Sequence, residues 1–152
     1  MNRKWIVAIA TMFSFSALVA GLSLADDEGG PLHDVMEKVN AKSNAIKKAT
    51  RTKVAYAKAQ KDLPVLAEEL VKLSKEAKDL SKEGVKKAPK TVKEPEKQWA
   101  ELCDAFTKEL EKFHAKVTDS KTTFAEAKSA YSPVSQSCTK CHDVFRIEED
   151  GF

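Results

Sequence analysis

Hydrophobic residues recur every three or four positions along most of the chain beyond residue 30, the spacing that places them on one face of an α-helix. Four such stretches are separated by prolines, glycines and polar runs. The first begins at Pro31, where the missing N–H costs nothing, and its pattern can continue toward Ala59. The second begins near Asp62 and Pro64, and we expect Gly84 to end it.

The third stretch is predicted to run from about Glu96 to Val117, after a basic linker at residues 85–95. Its hydrophobic positions share one face, which we expect to point inward: Trp99, Leu102, Cys103, Phe106, Leu110, Phe113 and Val117.

The fourth stretch follows a candidate capping residue, Asp119 or Ser120. Pro133 lies inside it, so we expect either a kink, which we favour, or a new helix capped by Ser132. No stretch alternates polar and apolar residues for long enough to suggest a sheet. Four amphipathic helices with short connections predict an all-α fold, an antiparallel up-down-up-down four-helix bundle.

The N-terminus has the pattern of a secretory signal peptide. Arg3 and Lys4 precede a largely apolar stretch at residues 5–24, and small residues at Ser23 and Ala25 are suited to cleavage. We therefore expect residues 1–25 to be removed and residues 26–152 to form the exported domain. An uncleaved membrane anchor is the alternative, since about 20 apolar residues can span a bilayer.

Charge and composition exclude several classes of function. The chain has 26 basic and 23 acidic residues, a net charge of +3, which argues against a nucleic-acid-binding protein. An aromatic content of 7% and the lack of a Gly-rich loop argue against a nucleotide-processing enzyme. No acid–base pair or nucleophile has a recognisable setting, so we do not expect an enzyme.

One motif carries recognisable chemistry. Cys138, Cys141 and His142 form the Cys-x-x-Cys-His pattern of covalent haem attachment. On a helix these positions share one face, so two thiols can bind the haem vinyl groups while the imidazole reaches the iron. A dithiol redox pair usually needs a βαβ context, and a zinc site needs a fourth ligand, so both fit less well. The motif predicts one molecule of haem c.

The segment Cys138–Arg146, on the last helix of an exported bundle, resembles the C-terminus of class II c-type cytochromes. This group comprises the cytochrome c′ family and its low-spin, methionine-ligated relatives. The resemblance implies one haem between the helices near one end of the bundle. It makes Cys138 and Cys141 the thioether anchors and His142 the proximal iron ligand.

Met36 decides between two functions within that family. The segment Val35–Asn40 resembles the ligand-bearing first helix of the low-spin members, in which a methionine binds the iron. In an antiparallel bundle Met36 and His142 also reach the same level, because both lie about 8–9 Å from the helix ends that meet there. The alternative is that Met36 only fills the core. An open iron site would then suit binding of NO or CO.

The remaining candidates are less decisive. We expect His33 to be a solvated surface residue, although it could replace Met36, and we place His114 at the opposite end from the haem. Arg146 could neutralise a haem propionate or lie at the surface. Cys103 is predicted to be a buried, inert thiol.

Together these features predict a periplasmic monohaem cytochrome that transfers single electrons to redox partner proteins. We expect no stable membrane anchor after signal cleavage, no nucleic-acid partner, and a possible homodimer. A five-coordinate gas-binding protein is the first alternative. A haem-free secreted helical interaction protein is the second.

Overall fold

The computed structural model describes residues 30–86 and 88–146. Within these ranges the chain is helical and contains no strand. The helices are α1 (Pro31–Ala49), α2 (Lys53–Ala59), α3 (Leu63–Asp79), α4 (Ser81–Gly84), α5 (Pro95–Thr118) and α6 (Phe124–Phe145). The predicted signal peptide at residues 1–25 lies outside the described residues.

The four long helices α1, α3, α5 and α6 form an antiparallel four-helix bundle, as the hydrophobic pattern predicts. Helix α3 packs extensively against both α1 and α5, and α5 packs against α6. Short helices α2 and α4 lie in the connections. Among neighbouring long helices, α1 and α6 approach each other least closely.

The first predicted helix divides into two. Helix α1 ends at Ala49, and the hydroxyl of Thr50 donates a hydrogen bond of 2.8 Å to the carbonyl oxygen of Ile46. Two residues later, the side chain of Thr52 accepts a hydrogen bond from the N–H of Ala55 and caps α2. Because side-chain hydrogen bonds of this kind compete with a continuous helix, the pattern toward Ala59 is interrupted.

The end of the second predicted helix also differs from expectation. Helix α3 stops at Asp79, and Gly84 closes the single extra turn of α4. The ring of Trp99 explains why residue 84 is a glycine, since a Cβ atom there would lie 2.5 Å from it. Any larger residue would displace the indole.

Helix α6 begins later than either capping residue predicted. Thr123 is the N-cap, and its hydroxyl oxygen accepts a hydrogen bond of 3.3 Å from the N–H of Glu126. The carboxylate of Glu126 accepts one of 2.9 Å from the N–H of Thr123 in return. This capping box satisfies two backbone donors at once, so the prediction of Asp119 or Ser120 is wrong.

Helix α6 continues without interruption past Pro133. Pro133 has no N–H to donate to the carbonyl of Ser129, and both residues lie on the exposed side of α6. A new helix capped by Ser132 is therefore wrong, and a bend at Pro133 stays a prediction.

Aromatic contacts fix the antiparallel register of α5 and α6. The rings of Trp99 and Phe145 lie 5.3 Å apart, and those of Phe113 and Tyr131 lie 5.1 Å apart, both in edge-on arrangements. Phe113 has no exposed surface, and Tyr131 is 5% exposed. The two contacts are 14 residues apart on each helix. Together they define which residues of the two helices face each other.

Two polar contacts hold α1 in place, one at its start and one in the middle of its buried face. The N–H of Leu32, in the first turn of α1, donates to the carboxylate of Glu83 over 3.0 Å. Farther along, the hydroxyl of Tyr131 donates to the carbonyl oxygen of Ser43 over 3.3 Å. The first contact fixes the start of α1 beside α4, and the second fixes its height against α6.

None of the described helices is both long and apolar enough to cross a lipid bilayer.

Val134→Ala should lower the free energy of unfolding by about 2–3 kcal/mol, because it removes two buried methyl groups and leaves a cavity. Val134 has no exposed surface, whereas Val65 is 56% exposed. Val65→Ala is the matched control and should change stability by less than about 0.5 kcal/mol. Urea unfolding measures both, and equal effects would contradict the described core.

Thr123→Ala should lower the free energy of unfolding by about 1 kcal/mol, because α6 loses its N-terminal cap. Ser120→Ala is the control, since the hydroxyl of Ser120 makes no hydrogen bond among the described residues. Urea unfolding compares the two. A larger loss for Ser120→Ala would restore the capping position expected from the sequence.

Candidate haem site

The candidate attachment residues lie on the last turns of α6. Cys138 and Cys141 are free, half-buried thiols, and His142 follows directly. Burial raises the pKa of the Cys138 thiol and, together with the effect of Cys138, raises the pKa of Cys141 to about 11. Both sulfur atoms are therefore protonated at neutral pH.

The two cysteines face different neighbours. Lys47 of α1 is near enough to Cys138 to oppose the effect of burial on its pKa. Cys141 is instead near Cys103 of α5. Burial is the largest cause of the raised pKa of Cys103, and Cys141 is the second. The pair thus lies between α1 and α5, on the inner side of α6.

His142 lies on the edge of α6 away from α5. His142 lies four positions after Cys138, only about 40° around the helix, so it shares the side of α6 on which Lys47 of α1 influences Cys138. His142 is exposed overall, yet partial desolvation and then the positive charge of Arg146 lower the pKa of its imidazole, against an opposing effect of Asp143. The ring is therefore neutral at neutral pH, as a metal ligand must be.

Met36 lies on the inner side of α1, where it is half-buried and packs against the hydrophobic core. Its height follows from the hydrogen bond between Tyr131 and Ser43. Seven residues back along α1 lead from Ser43 to Met36, and seven residues forward along α6 lead from Tyr131 to Cys138. On antiparallel helices these equal steps predict that Met36 lies near the level of Cys138, whereas Lys47, which also influences Cys138, lies 11 positions farther along α1.

Side-chain direction brings Met36 and His142 closer in height. Helical side chains lean toward the N-terminus of their own helix. Met36 therefore leans toward the bundle end that contains His142, and His142 leans back toward the level of Met36. Both residues border the space between α1 and α6, the least closely packed pair.

The donor set fits haem c better than a bare metal ion. Among residues 30–86 and 88–146, no group of three or more His, Cys, Asp or Glu side chains could hold a metal ion. A tetrahedral zinc site is therefore not formed by the described residues. Two protonated thiols beside one neutral imidazole are instead the groups that covalent haem attachment uses.

A comparison with protein families identifies the chain. A family model described as Cytochrome C' matches residues 32–146. The chain belongs to the cytochrome c′ family. Membership implies a covalently bound haem c and agrees with the four-helix bundle, and members of the family are typically periplasmic. Searches of the curated proteins and of the solved structures found no match.

A groove of about 320 Å³ lies elsewhere on this cytochrome, between α5 and α6. Its lining includes Leu102, Pro133 and Lys140, but neither Met36 nor any residue of the Cys-x-x-Cys-His triad. The groove is therefore separate from the candidate haem site, although Lys140 belongs to the same motif.

The other histidines of the cytochrome lie where the sequence places them. His33 is exposed, with 56% of its side chain accessible, and its ring lies 3.6 Å from the carboxylate of Glu37. His114, near the end of α5, is close enough to Glu68 to influence the pKa of that carboxyl. Glu68 lies in the first half of α3, far from the haem end, so His114 is remote from the site.

Arg146 is the C-cap residue of α6 and is exposed, and its N–H donates to the carbonyl oxygen of His142.

Cys103 is buried, as predicted, and burial is the main cause that raises its pKa to about 12.

Sequence reasoning missed two positioning residues, Glu83 and Gly84. Glu83 anchors the start of α1 from 51 positions away, and Gly84 makes room for Trp99. The isolated glycine was a visible signal, but it suggested a helix end, whereas nothing local distinguishes Glu83 from other surface carboxylates.

Proposed function

We propose that this member of the cytochrome c′ family is a periplasmic electron-transfer protein of the low-spin, methionine-ligated branch. Its haem is attached through Cys138 and Cys141, and its iron is bound by His142 and Met36. The observation that supports the proposal is that Met36 is half-buried against the core on the inner side of α1, the helix that the hydrogen bond from Tyr131 to Ser43 ties to α6.

The sequence offers one methionine for this role. Met36 is the only methionine beyond residue 12, so no other thioether side chain exists in the expected exported domain. His33 is the alternative ligand on α1, but its exposed ring is near Glu37 at the surface. Met36 is therefore the better placed of the two.

When bound, haem c supplies a one-electron couple between ferric and ferrous iron. His142, through its imidazole, and Met36, through its thioether, would hold the haem iron, and two protein ligands would limit rearrangement during electron transfer and raise the reduction potential. Leu32, half-buried one turn before Met36, packs against the core and helps to exclude water from this side.

Arg146 and three lysines of the 85–95 linker, Lys86, Lys90 and Lys93, add positive charge near the same end of the bundle. Arg146 lies at the end of α6 and could pair with a haem propionate. We propose redox proteins as the partners and do not assign the chain an enzymatic activity. A signal peptide at residues 1–25 would account for export.

Gas binding is the second candidate, because the cytochrome c′ family is classically gas-binding. Met36 also packs against the core cluster, a position it would keep if it were only a core residue. In that case the iron would be bound by His142 alone and would be open to CO or NO.

Cys138→Ser and Cys141→Ser should each remove one thioether bond, because serine has no thiol to add to a vinyl group. Haem staining of denatured protein detects covalent attachment, and the intact mass after alkylation of the remaining thiols counts the cysteines that are not bonded to haem. Cys103→Ser is the control and should retain full attachment. If Cys103→Ser lost the haem while Cys138→Ser kept both bonds, the proposed attachment pair would be wrong.

Visible spectra of the oxidised and reduced protein, with and without CO, test the iron ligands. The wild type should be low-spin and insensitive to CO. Met36→Leu, which nearly conserves volume, should become high-spin and bind CO, because leucine cannot bind the iron.

His33→Ala is the matched control on α1 and should leave both spectra unchanged. A wild-type spectrum that is high-spin and shifts with CO would reject the electron-transfer proposal and favour gas binding.

A further inference from the structure

The third thiol of the chain lies opposite one of the two attachment thiols. Trp99 contacts Phe145, and one helical turn inward from this pair are Cys103 on α5 and Cys141 on α6. The contact between Phe113 and Tyr131 lies ten residues after Cys103 on α5 and ten residues before Cys141 on α6. The same antiparallel register thus holds on both sides of the cysteine pair and places Cys103 against Cys141.

Two further observations support this pairing. Cys103 is 6% exposed on the inner face of α5, and Cys141 is half-buried on the inner face of α6. Cys141 is also close enough to influence the pKa of Cys103. The pKa of Cys138, one turn earlier on α6, is instead influenced by the charge of Lys47 on α1.

We propose that Cys103 and Cys141 form a disulfide bond between α5 and α6 in the haem-free chain. Facing positions on closely packed helices bring Cα atoms toward the range that a disulfide requires, about 4.4–6.8 Å. The co-reactant is a small disulfide oxidant, as found in the oxidising compartment to which the chain is expected to be exported.

The reaction balances as two exchange steps. The half-buried Cys141 meets the oxidant first. It loses its proton to the solvent, and the resulting thiolate attacks one oxidant sulfur, which forms a mixed disulfide and releases one oxidant thiolate that takes up a proton as a thiol. The thiolate of Cys103 then attacks the sulfur of Cys141 and releases the second thiol. The two cysteines lose two electrons and two protons, and the oxidant gains them as two thiols.

The bond would compete with haem attachment. Attachment through Cys141 requires its free thiol, so the oxidised chain must be reduced before the haem can be bound. This consequence rests on the proposed attachment pair, whereas the disulfide itself does not. Once Cys141 forms a thioether, Cys103 is left as a buried free thiol.

Peptide mapping separates the possible bonds. The haem-free chain is treated with glutathione disulfide, the remaining thiols are alkylated, and the protein is cleaved with trypsin. Cleavage after Lys140 places the three cysteines in separate peptides: 98–108, 129–140 and 141–146. The proposal predicts a cross-link between 98–108 and 141–146, with Cys138 alkylated.

A dominant cross-link between 129–140 and 141–146, with Cys103 alkylated, would overturn the proposal. Cys138→Ser, which keeps only the proposed pair, should give the same monomeric cross-link as the wild type. Its far-UV circular dichroism should match that of the wild type. Cross-linked dimers from a helical Cys138→Ser chain would also overturn it.

Haem attachment with and without an added thiol reductant tests the competition. The yield of the wild type should fall severalfold without reductant, whereas the yield of Cys103→Ser should not. If the yield of attached haem depended equally on reductant in both chains, the proposed competition would be wrong. If neither chain attached haem even with reductant, while the oxidised wild type still gave the cross-link between 98–108 and 141–146, the proposed function would be rejected and the disulfide would stand.

Discussion

The antiparallel contact between α5 and α6 is the constraint on which the candidate site depends. Two edge-on ring pairs, Trp99 with Phe145 and Phe113 with Tyr131, fix the register over most of their contact length. That register sets which residues meet at the haem end and places Cys141 opposite Cys103. Gly84 is part of the same arrangement, because only a glycine leaves room for Trp99.

The position of α1 connects the fold to the proposed function. Glu83 holds the first turn, and the hydrogen bond from Tyr131 to Ser43 sets the height of the helix against α6. Met36 lies near the start of α1, which borders the least closely packed helix pair of the bundle.

The sequence was informative where a pattern is local or strongly periodic. The four-helix bundle and the limits of α5 followed from hydrophobic spacing, and the start of α1 followed from Pro31. Cap choice was less predictable, because Thr52 and Thr123 compete with similar polar neighbours, and only folded geometry selects them. The role of Glu83 was hidden, since it depends on a contact across 51 positions.

Methionine ligation is the central claim, and nuclear magnetic resonance of the reduced protein tests it most directly. Met36 is the only methionine beyond residue 12, so methyl-¹³C methionine labels one site in the processed chain. A methyl group bound through sulfur to diamagnetic ferrous haem lies above the ring plane, where the ring current shifts its resonance far upfield. The account predicts one such resonance, and a signal at the ordinary methionine position would contradict it.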